Sequence, residues 1–195
     1  MIAEVTPQLW WYVARASGLT AYALATLSVL LGLAFSARAV RRRGAPAWMN
    51  DLHRFLGFLT VVFTAVHLLG LWADSYVHFG PSELFVPMAS TWNPGAVAWG
   101  VVAAYLLVAI ELTSWARRLL PRRLWHTVHL SSIGLFALAT VHAVQAGTDT
   151  DIVALVWTFV GCVLAVGFLV MYRLMTRRSG LVRPAERPVE LVDAA

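Results

Sequence analysis

The sequence contains no lysine and only one cysteine, and just 13% of its 195 residues are charged. The single Cys162 excludes an internal disulfide. The low charge content accompanies 59% hydrophobic residues and a mean hydropathy of +0.70. A soluble domain of this length is excluded, because its core could not hide so much apolar surface. The deficits indicate an integral membrane protein.

Five apolar windows are each near the roughly 20 residues that a helix needs to cross a bilayer. These spans, numbered one to five, are 16–37, 52–73, 95–115, 125–146 and 152–174. The first lacks a basic n-region and exceeds the apolar core of a signal peptide, so we expect it to remain in the protein. The sequence predicts an all-α integral membrane protein, a five-helix transmembrane bundle in one domain over residues 1–174. Residues 175–195 are polar and proline-interrupted, which predicts a flexible cytoplasmic tail.

All 15 basic residues are arginine, and most lie directly after spans one, three and five. The other two loops, 74–94 and 147–151, carry acids and no arginine. The positive-inside rule therefore predicts an outer N-terminus and a cytoplasmic C-terminus. Because the arginines flank apolar spans, we expect contact with lipid and not with nucleic acid. The pattern predicts a multi-pass protein of the cell membrane, in a bacterium the plasma membrane.

Four histidines lie in two of the spans: His53 and His67 in the second, His129 and His142 in the fourth. Ionisable groups in hydrocarbon are costly, so each is a candidate functional residue. His53 and His67 are 14 residues apart, which gives about 21 Å of rise and about 40° between their directions. His129 and His142 are 13 residues apart, a rise of about 20 Å. Because spans two and four run parallel, His53 can face His129 and His67 can face His142.

Imidazoles paired at two depths are typical of two b-type haems, each with two axial histidines. We therefore predict two haems between spans two and four, an inner one on His53 and His129 and an outer one on His67 and His142. No thioether bonds are expected, because one cysteine cannot form the C-x-x-C-H motif. The alternative for each residue taken singly is an interfacial group or a structural hydrogen bond.

The spacing in the fourth span conflicts with an ideal helix. Thirteen residue steps leave His129 and His142 about 140° apart. We therefore expect local rewinding near Ser131, Ser132 and Gly134. Replacing His129 by His126 would widen the angle to about 160°, so His126 is interpreted as interfacial.

Two arginines are candidate partners of the haem propionates, which are anions that guanidinium groups bind well. Arg54 is assigned to the inner haem and Arg15 to the outer haem. Arg15 is the only arginine on the predicted outer side. For Arg54, anchoring at the cytoplasmic headgroups is an equally good interpretation.

Glycines and one acid complete the candidates. Gly57, Gly70 and Gly134 could make room for a porphyrin, although small residues also allow close helix packing. Glu111, the only acid well inside span three, could serve a proton or a quinone. An ion pair with Arg117 or Arg118 is its simpler role.

These residues resemble the ferric reductase-like transmembrane domain family, the haem module also found in NADPH oxidases and in the haem subunit of bacterial methionine sulfoxide reductase. The resemblance runs from about residue 10 to residue 151. It is carried by Arg15-Ala16-Ser17-Gly18, by His53-Arg54 with His67, by 119–125 leading into Val128-His129-Leu130, and by His142. It implies that the four paired histidines bind two b-type haems. The chain departs from the family in having five spans instead of six. It also lacks a Gly-rich nucleotide fingerprint, so we expect an oxidoreductase subunit without its own FAD or NAD(P)H domain.

The expected function is electron transfer across the membrane, from a cytoplasmic flavoprotein reductase or a membrane quinol to an outer acceptor. Ferric iron, oxygen and a partner enzyme are candidate acceptors. Two alternatives stay open: electron flow from outside to a membrane quinone, and a haem-free transporter or assembly subunit. Scarce intramembrane acids and the odd number of spans argue against transport.

Overall fold

The computed structural model describes residues 7–36, 47–75, 77, 79–148 and 151–179. All regular structure in these ranges is helical. The helices are α1 (Pro7–Ser36), α2 (Ala47–Ala73), α3 (Pro81–Phe85), α4 (Pro94–Trp115), α5 (Arg122–Leu130), α6 (Ser132–Ala146) and α7 (Val153–Ser179). Five segments of the described chain are long and apolar enough to cross a membrane: α1, α2, α4, α5 with α6, and α7. The prediction of a helical membrane bundle with five spans is confirmed.

Helices α1 and α2 pack closely in antiparallel orientation. His53 of α2 lies beside Ser28 of α1, and His67 lies beside Ala14. A step of 14 residues along α2 therefore matches an equal step in the opposite direction along α1. At Gly70 the helices nearly touch, because a Cβ there would lie 2.9 Å from the Ala14 backbone nitrogen. A residue without a side chain allows this approach.

The main apolar core lies where α1 meets α6 and α7. The ring of Tyr22 in α1 lies 5.9 Å from the ring of Phe136 in α6 and 5.1 Å from that of Phe159 in α7. The Tyr22 hydroxyl is 3.1 Å from the Thr140 hydroxyl. Helix α2 packs mainly on α1, and α4 packs mainly on α6. This arrangement leaves α2 and α6 facing each other with space between them.

Large apolar side chains cover the outside of the bundle. Phe58 is 61% exposed, Leu112 59% and Phe168 68%. A soluble monomer rarely exposes apolar surface on this scale, whereas the side chains of a membrane bundle contact lipid there. The exposure supports a multi-pass membrane protein.

The bundle has two ends of different composition. The arginine-rich end carries Arg54, Arg117, Arg118, Arg122 and Arg123. At the capped end, α3 and its flanking residues lie over the start of α4. There Phe79 and Leu84 pack with Val97 and Val101.

Helices α1, α2 and α7 extend beyond the predicted spans, and the fourth span is divided. Helix α2 begins at Ala47 and not at residue 52. Helix α1 begins at Pro7 and not at residue 16, since proline is well suited to the first helical position. Helix α7 continues to Ser179, into the predicted tail; residues 180–195 of that tail lie outside the described residues. The fourth span is divided at Ser131.

Candidate functional site

The structure brings the four histidines together as two pairs. The ring centroids of His53 and His129 are 5.9 Å apart, with their planes at 77°. Those of His67 and His142 are 6.3 Å apart, with their planes at 78°. An imidazole nitrogen binds a metal at about 2 Å, so two rings on opposite sides of one metal have centroids about 6 Å apart. Both pairs have the spacing that an iron atom between the rings requires.

Three of the four rings are held through Nδ1 by a backbone carbonyl of a neighbouring helix. The distances are 3.0 Å from His53 to Ser28, 2.7 Å from His67 to Ala14 and 2.8 Å from His142 to Ala96. A carbonyl oxygen can only accept, so Nδ1 carries the proton and donates it. The Nε2 lone pair of each of these rings is therefore available to a metal.

His129 is held differently. Its Nδ1 lies 3.3 Å from the hydroxyl oxygen of Ser114. A hydroxyl can donate or accept, so this contact does not select one tautomer. The ring of Trp125 stacks on the His129 ring at a centroid distance of 5.2 Å and an angle of 23°. His129 is thus positioned mostly by stacking, whereas the other three rings are positioned by backbone acceptors.

Three glycines allow these rings to approach the neighbouring helices. A Cβ at Gly18 would lie 2.9 Å from His67 Nδ1, and one at Gly100 would lie 2.7 Å from His142 Nδ1. A Cβ at Gly32 would lie 3.3 Å from His53 Cε1. Each glycine follows the acceptor carbonyl by one helical turn and so lies on the same helix face. We use the word seat for each acceptor carbonyl together with the glycine that follows it by one turn.

The sequence interpretation missed this role and named Gly57, Gly70 and Gly134 instead, either as room for a porphyrin or as sites of close helix packing. Gly70 instead lies on the Ala14 backbone, and Gly57 lies against Glu111. Nothing is within 4 Å of a Cβ at Gly134. One available signal was the 14-residue separation of Gly18 and Gly32, which equals that of His53 and His67.

The fourth span accommodates the separation of its two histidines by a break at Ser131. The Ser131 backbone N–H donates to Val128 at 3.1 Å, and its hydroxyl donates to the same carbonyl at 2.6 Å. A bond to the third preceding residue tightens the turn relative to an α-helix. This break changes the direction of His129 relative to His142, so that both rings reach partners on α2. The expected rewinding is found at Ser131, without a role for Gly134.

A large cavity lies beside His67 and His142, between α2 and α6. It holds about 1550 Å³ of atom-free space, including its open side. The cavity reaches from Leu107 and Leu135 in the middle of the bundle to Trp11 and Glu83 at the capped end. The cavity therefore adjoins the gap between the two rings, where a planar cofactor would lie.

The predicted arginines lie at opposite ends. Arg15 lines the cavity beside His67 and His142, and its guanidinium carbon lies 5.7 Å from the centre of the Trp11 ring. Arg54 follows His53 in α2, and its side chain is exposed. His126 is exposed next to Trp125, as an interfacial residue would be.

Glu111 does not form the expected ion pair. In the described part of the chain its carboxylate has no ion pair with Arg117 or Arg118, and it lies instead against Gly57 of α2. The interpretation of Glu111 as an arginine partner was therefore wrong.

Comparison with known proteins gave one match. A family model described as a ferric reductase like transmembrane component matches residues 17–141. The matched range contains His53, His67 and His129 and ends immediately before His142. No curated protein and no solved structure matches the chain.

Proposed function

Because the chain belongs to the ferric reductase-like transmembrane component family, we propose that it is a di-haem b-type electron carrier. His53 and His129 would hold one haem, and His67 and His142 would hold the other. The supporting observation is the pairing of four rings at two depths, with centroids 5.9 Å and 6.3 Å apart.

When bound, each haem would supply a one-electron carrier, with its iron held by two histidines of this chain. The chain fixes the orientation of the ligands. The carbonyls of Ala14, Ser28 and Ala96 accept the Nδ1 protons, which directs Nε2 away from the neighbouring helix and raises the basicity of the ring. Seats built from backbone are rigid, and rigidity limits the reorganisation that accompanies each transfer.

The arginines neutralise haem charge. Arg15 lines the cavity at the capped end, where its guanidinium can bind a propionate of the outer haem. Arg54 has the corresponding role at the inner haem, next to His53. Both keep anionic groups at the ends of the bundle and out of the hydrocarbon.

The proposed direction of transfer is from the cytoplasm to the outside, and it uses the orientation that the charge asymmetry predicts. The positive-inside rule assigns the arginine-rich end to the cytoplasm, and with it the pair His53 and His129. Electrons arrive there from a flavin-containing protein or a membrane quinol. They leave from His67 and His142 to ferric iron, oxygen or a partner enzyme outside. An inside-negative potential favours this direction by about 2.3 kcal/mol per electron per 100 mV.

The donor set also distinguishes haem from a directly bound metal ion. Within the described ranges no group of three or more His, Cys, Asp or Glu side chains could hold a metal ion. Pairs of histidines are too few for a typical protein metal site, whereas they suffice for an iron that a porphyrin already binds. A transporter or assembly subunit with bound metal ions is therefore the weaker interpretation.

Haem quantitation with a reduced-minus-oxidised spectrum tests the proposal. We expect two haems in the purified protein, and one haem in each of His67→Ala and His129→Ala, lost from different sites. His126→Ala is the matched control and should keep both haems. A protein without a dithionite-sensitive Soret band, or single variants that each keep two haems, would contradict the assignment.

A further inference from the structure

An apolar groove runs along the outside of the bundle between α2 and α4. It holds about 550 Å³ of atom-free space, including its open side. Val61 and Ala65 line it from α2, and Tyr105 and Val108 line it from α4. Tyr105 and Val108 are about half exposed, so the groove opens toward lipid. At the capped end it is closed by Leu84 and Phe85 of α3.

The other end of the groove leads to a carboxylate. Glu111 follows Val108 by three residues in α4, and Gly57 precedes Val61 by four in α2. Both therefore lie about one turn beyond the groove, on the faces that line it. A Cβ at Gly57 would lie 2.5 Å from Glu111 Oε1, so the carboxylate occupies the space that the missing side chain leaves.

Glu111 is exceptional among the acids of the described spans. The only other one is Asp51, which is exposed in the first turns of α2. Glu111 is half-buried and makes no hydrogen bond or ion pair with the described residues. An acid within a membrane span is costly without a partner, which makes a functional role the default hypothesis.

The carboxylate also lies close to the histidine pair of the arginine-rich end. Gly57 is one turn from His53 on α2. Ser114 is one turn from Glu111 on α4, and its hydroxyl contacts His129 Nδ1. Glu111 is therefore displaced from the level of this pair by about 6 Å along the helix axis, toward the middle of the bundle.

We propose that the groove binds a membrane quinol, with the head group at Glu111 and Gly57 and the apolar tail between α2 and α4. The inference rests on the proposed di-haem function and names its electron donor. A quinol has the two properties that this surface requires: a hydrocarbon tail that matches an apolar groove, and a hydroxyl that hydrogen-bonds a carboxylate. Gly57 leaves the space that the carboxylate occupies, about one turn beyond the groove, so a ring at the end of the groove can reach it.

Glu111 is the proton acceptor of this site. Oxidation of one quinol to quinone releases two electrons and two protons. The two electrons reduce two ferric haems to the ferrous state, one at each histidine pair. Glu111 takes each proton in turn from a quinol hydroxyl and releases it to water at the arginine-rich end. Glu111 is closer to that end of the bundle than to the capped end, because it lies four residues before the end of α4 at Trp115.

The test is haem reduction by a short-chain quinol, followed by stopped-flow absorbance under anaerobic conditions on the purified di-haem protein. A positioned base typically contributes about 10²–10⁴-fold to a proton transfer. Glu111→Gln should slow reduction at least about tenfold by this criterion, with unchanged haem content and full reduction by dithionite. Asp151→Asn is the matched control: this acid is exposed just before α7, lines neither the groove nor the cavity, and its loss should leave the rate unchanged.

Binding of the oxidised short-chain quinone, measured by titration calorimetry in lipid nanodiscs, gives a readout independent of electron transfer. Glu111→Gln should still bind, because the amide can donate a hydrogen bond to a quinone oxygen. Gly57→Leu should weaken binding at least tenfold, roughly the loss of one good contact, because the new side chain displaces the Glu111 carboxylate that binds the head group. If Gly57→Leu does not fold, Gly57→Ala displaces the carboxylate with a minimal change and should slow reduction.

The results separate this inference from the function on which it rests. Quinone that does not bind the wild type in nanodiscs would show that lipid acyl chains fill the groove, and would overturn the inference. So would a wild-type rate in Glu111→Gln, or a haem-loaded protein that quinol does not reduce. In each of these cases two haems would still be present. A protein without haem would overturn both proposals.

Discussion

The two histidine pairs differ in what holds them in place. At the capped end, the Nδ1 atoms of His67 and His142 both meet backbone carbonyls, at 2.7 Å and 2.8 Å. At the arginine-rich end, only His53 has such a partner, at 3.0 Å, whereas His129 has a serine hydroxyl at 3.3 Å. The capped-end pair is therefore set by the fold itself, and the other pair depends partly on replaceable side chains.

The surroundings of the two pairs also differ, and again the capped-end pair is held more rigidly. Both capped-end rings lie against glycines of α1 and α4 and beside a large cavity. The arginine-rich end has a stacked indole, Trp125, on His129, which lies two residues before the break at Ser131. A ring at the end of a short helix adjusts more easily than a ring in the middle of a long one. We infer that the capped-end site is the more preorganised of the two.

The largest expected effect comes from filling a glycine seat at the capped end. In Gly100→Val the new Cβ would lie 2.7 Å from the His142 ring, closer than real Cβ atoms come to any neighbour. The His142 ring is held by the Ala96 carbonyl and cannot shift without breaking that hydrogen bond, so the valine side chain must displace it. We expect haem content to fall from two to one per chain, measured by pyridine haemochrome with a protein assay.

Gly134→Val is the matched control, because no atom lies within 4 Å of a Cβ at that position. It should keep both haems. If Gly100→Val also kept both haems, the capped-end seat would be adaptable, and the contrast between the pairs would disappear.

The next effect is at the arginine-rich end, where an Nδ1 partner can be removed by mutation. Ser114→Ala deletes the hydroxyl beside His129. Loss of a ligand's hydrogen-bond partner typically costs 10- to 100-fold in metal affinity, and a contact as long as this one predicts about tenfold. The expected result is about tenfold faster loss of one haem to a scavenging globin, with the other haem unaffected.

Thr113→Ala provides the comparison for Ser114→Ala, since the Thr113 hydroxyl bonds only to carbonyls of its own helix. Its haem loss should match that of the wild type. Faster loss of both haems in Ser114→Ala would mean that the two sites are not held independently.

The difference between the pairs also explains what the sequence could predict. The histidines, the five spans and the need for a break near Ser131 follow from hydropathy and helical periodicity, which are properties of one segment at a time. The seats of the rings cannot be predicted in this way, because the acceptors Ala14 and Ala96 contribute only backbone atoms, which every residue has. Their positions depend on which helices become neighbours and in which register.

The glycines that contact the histidine rings were missed for the same reason. Gly18 and Gly70 look alike in sequence, as small residues in apolar helices, yet one faces an imidazole and the other faces backbone. Only the antiparallel register of α1 and α2 separates them. Glu111 is a parallel case: Arg117 and Arg118 follow it closely in the sequence, but its side chain is directed toward α2.

The smallest expected effect is at Gly32, the seat of His53. A Cβ there would lie 3.3 Å from His53 Cε1, a contact that a shift of a few tenths of an ångström relieves. Replacing glycine by alanine in a helix interior also gains up to about 1 kcal/mol. The strain of the close contact and the gain in helix stability have opposite signs and similar size. Gly32→Ala should therefore keep both haems and nearly the wild-type melting temperature. Gly18→Ala, where the corresponding contact is 2.9 Å, should be the more damaging member of the pair. Equal haem loss in both variants would show that His53 contacts its glycine as closely as His67 does. The two histidine pairs would then differ only in how His129 is held.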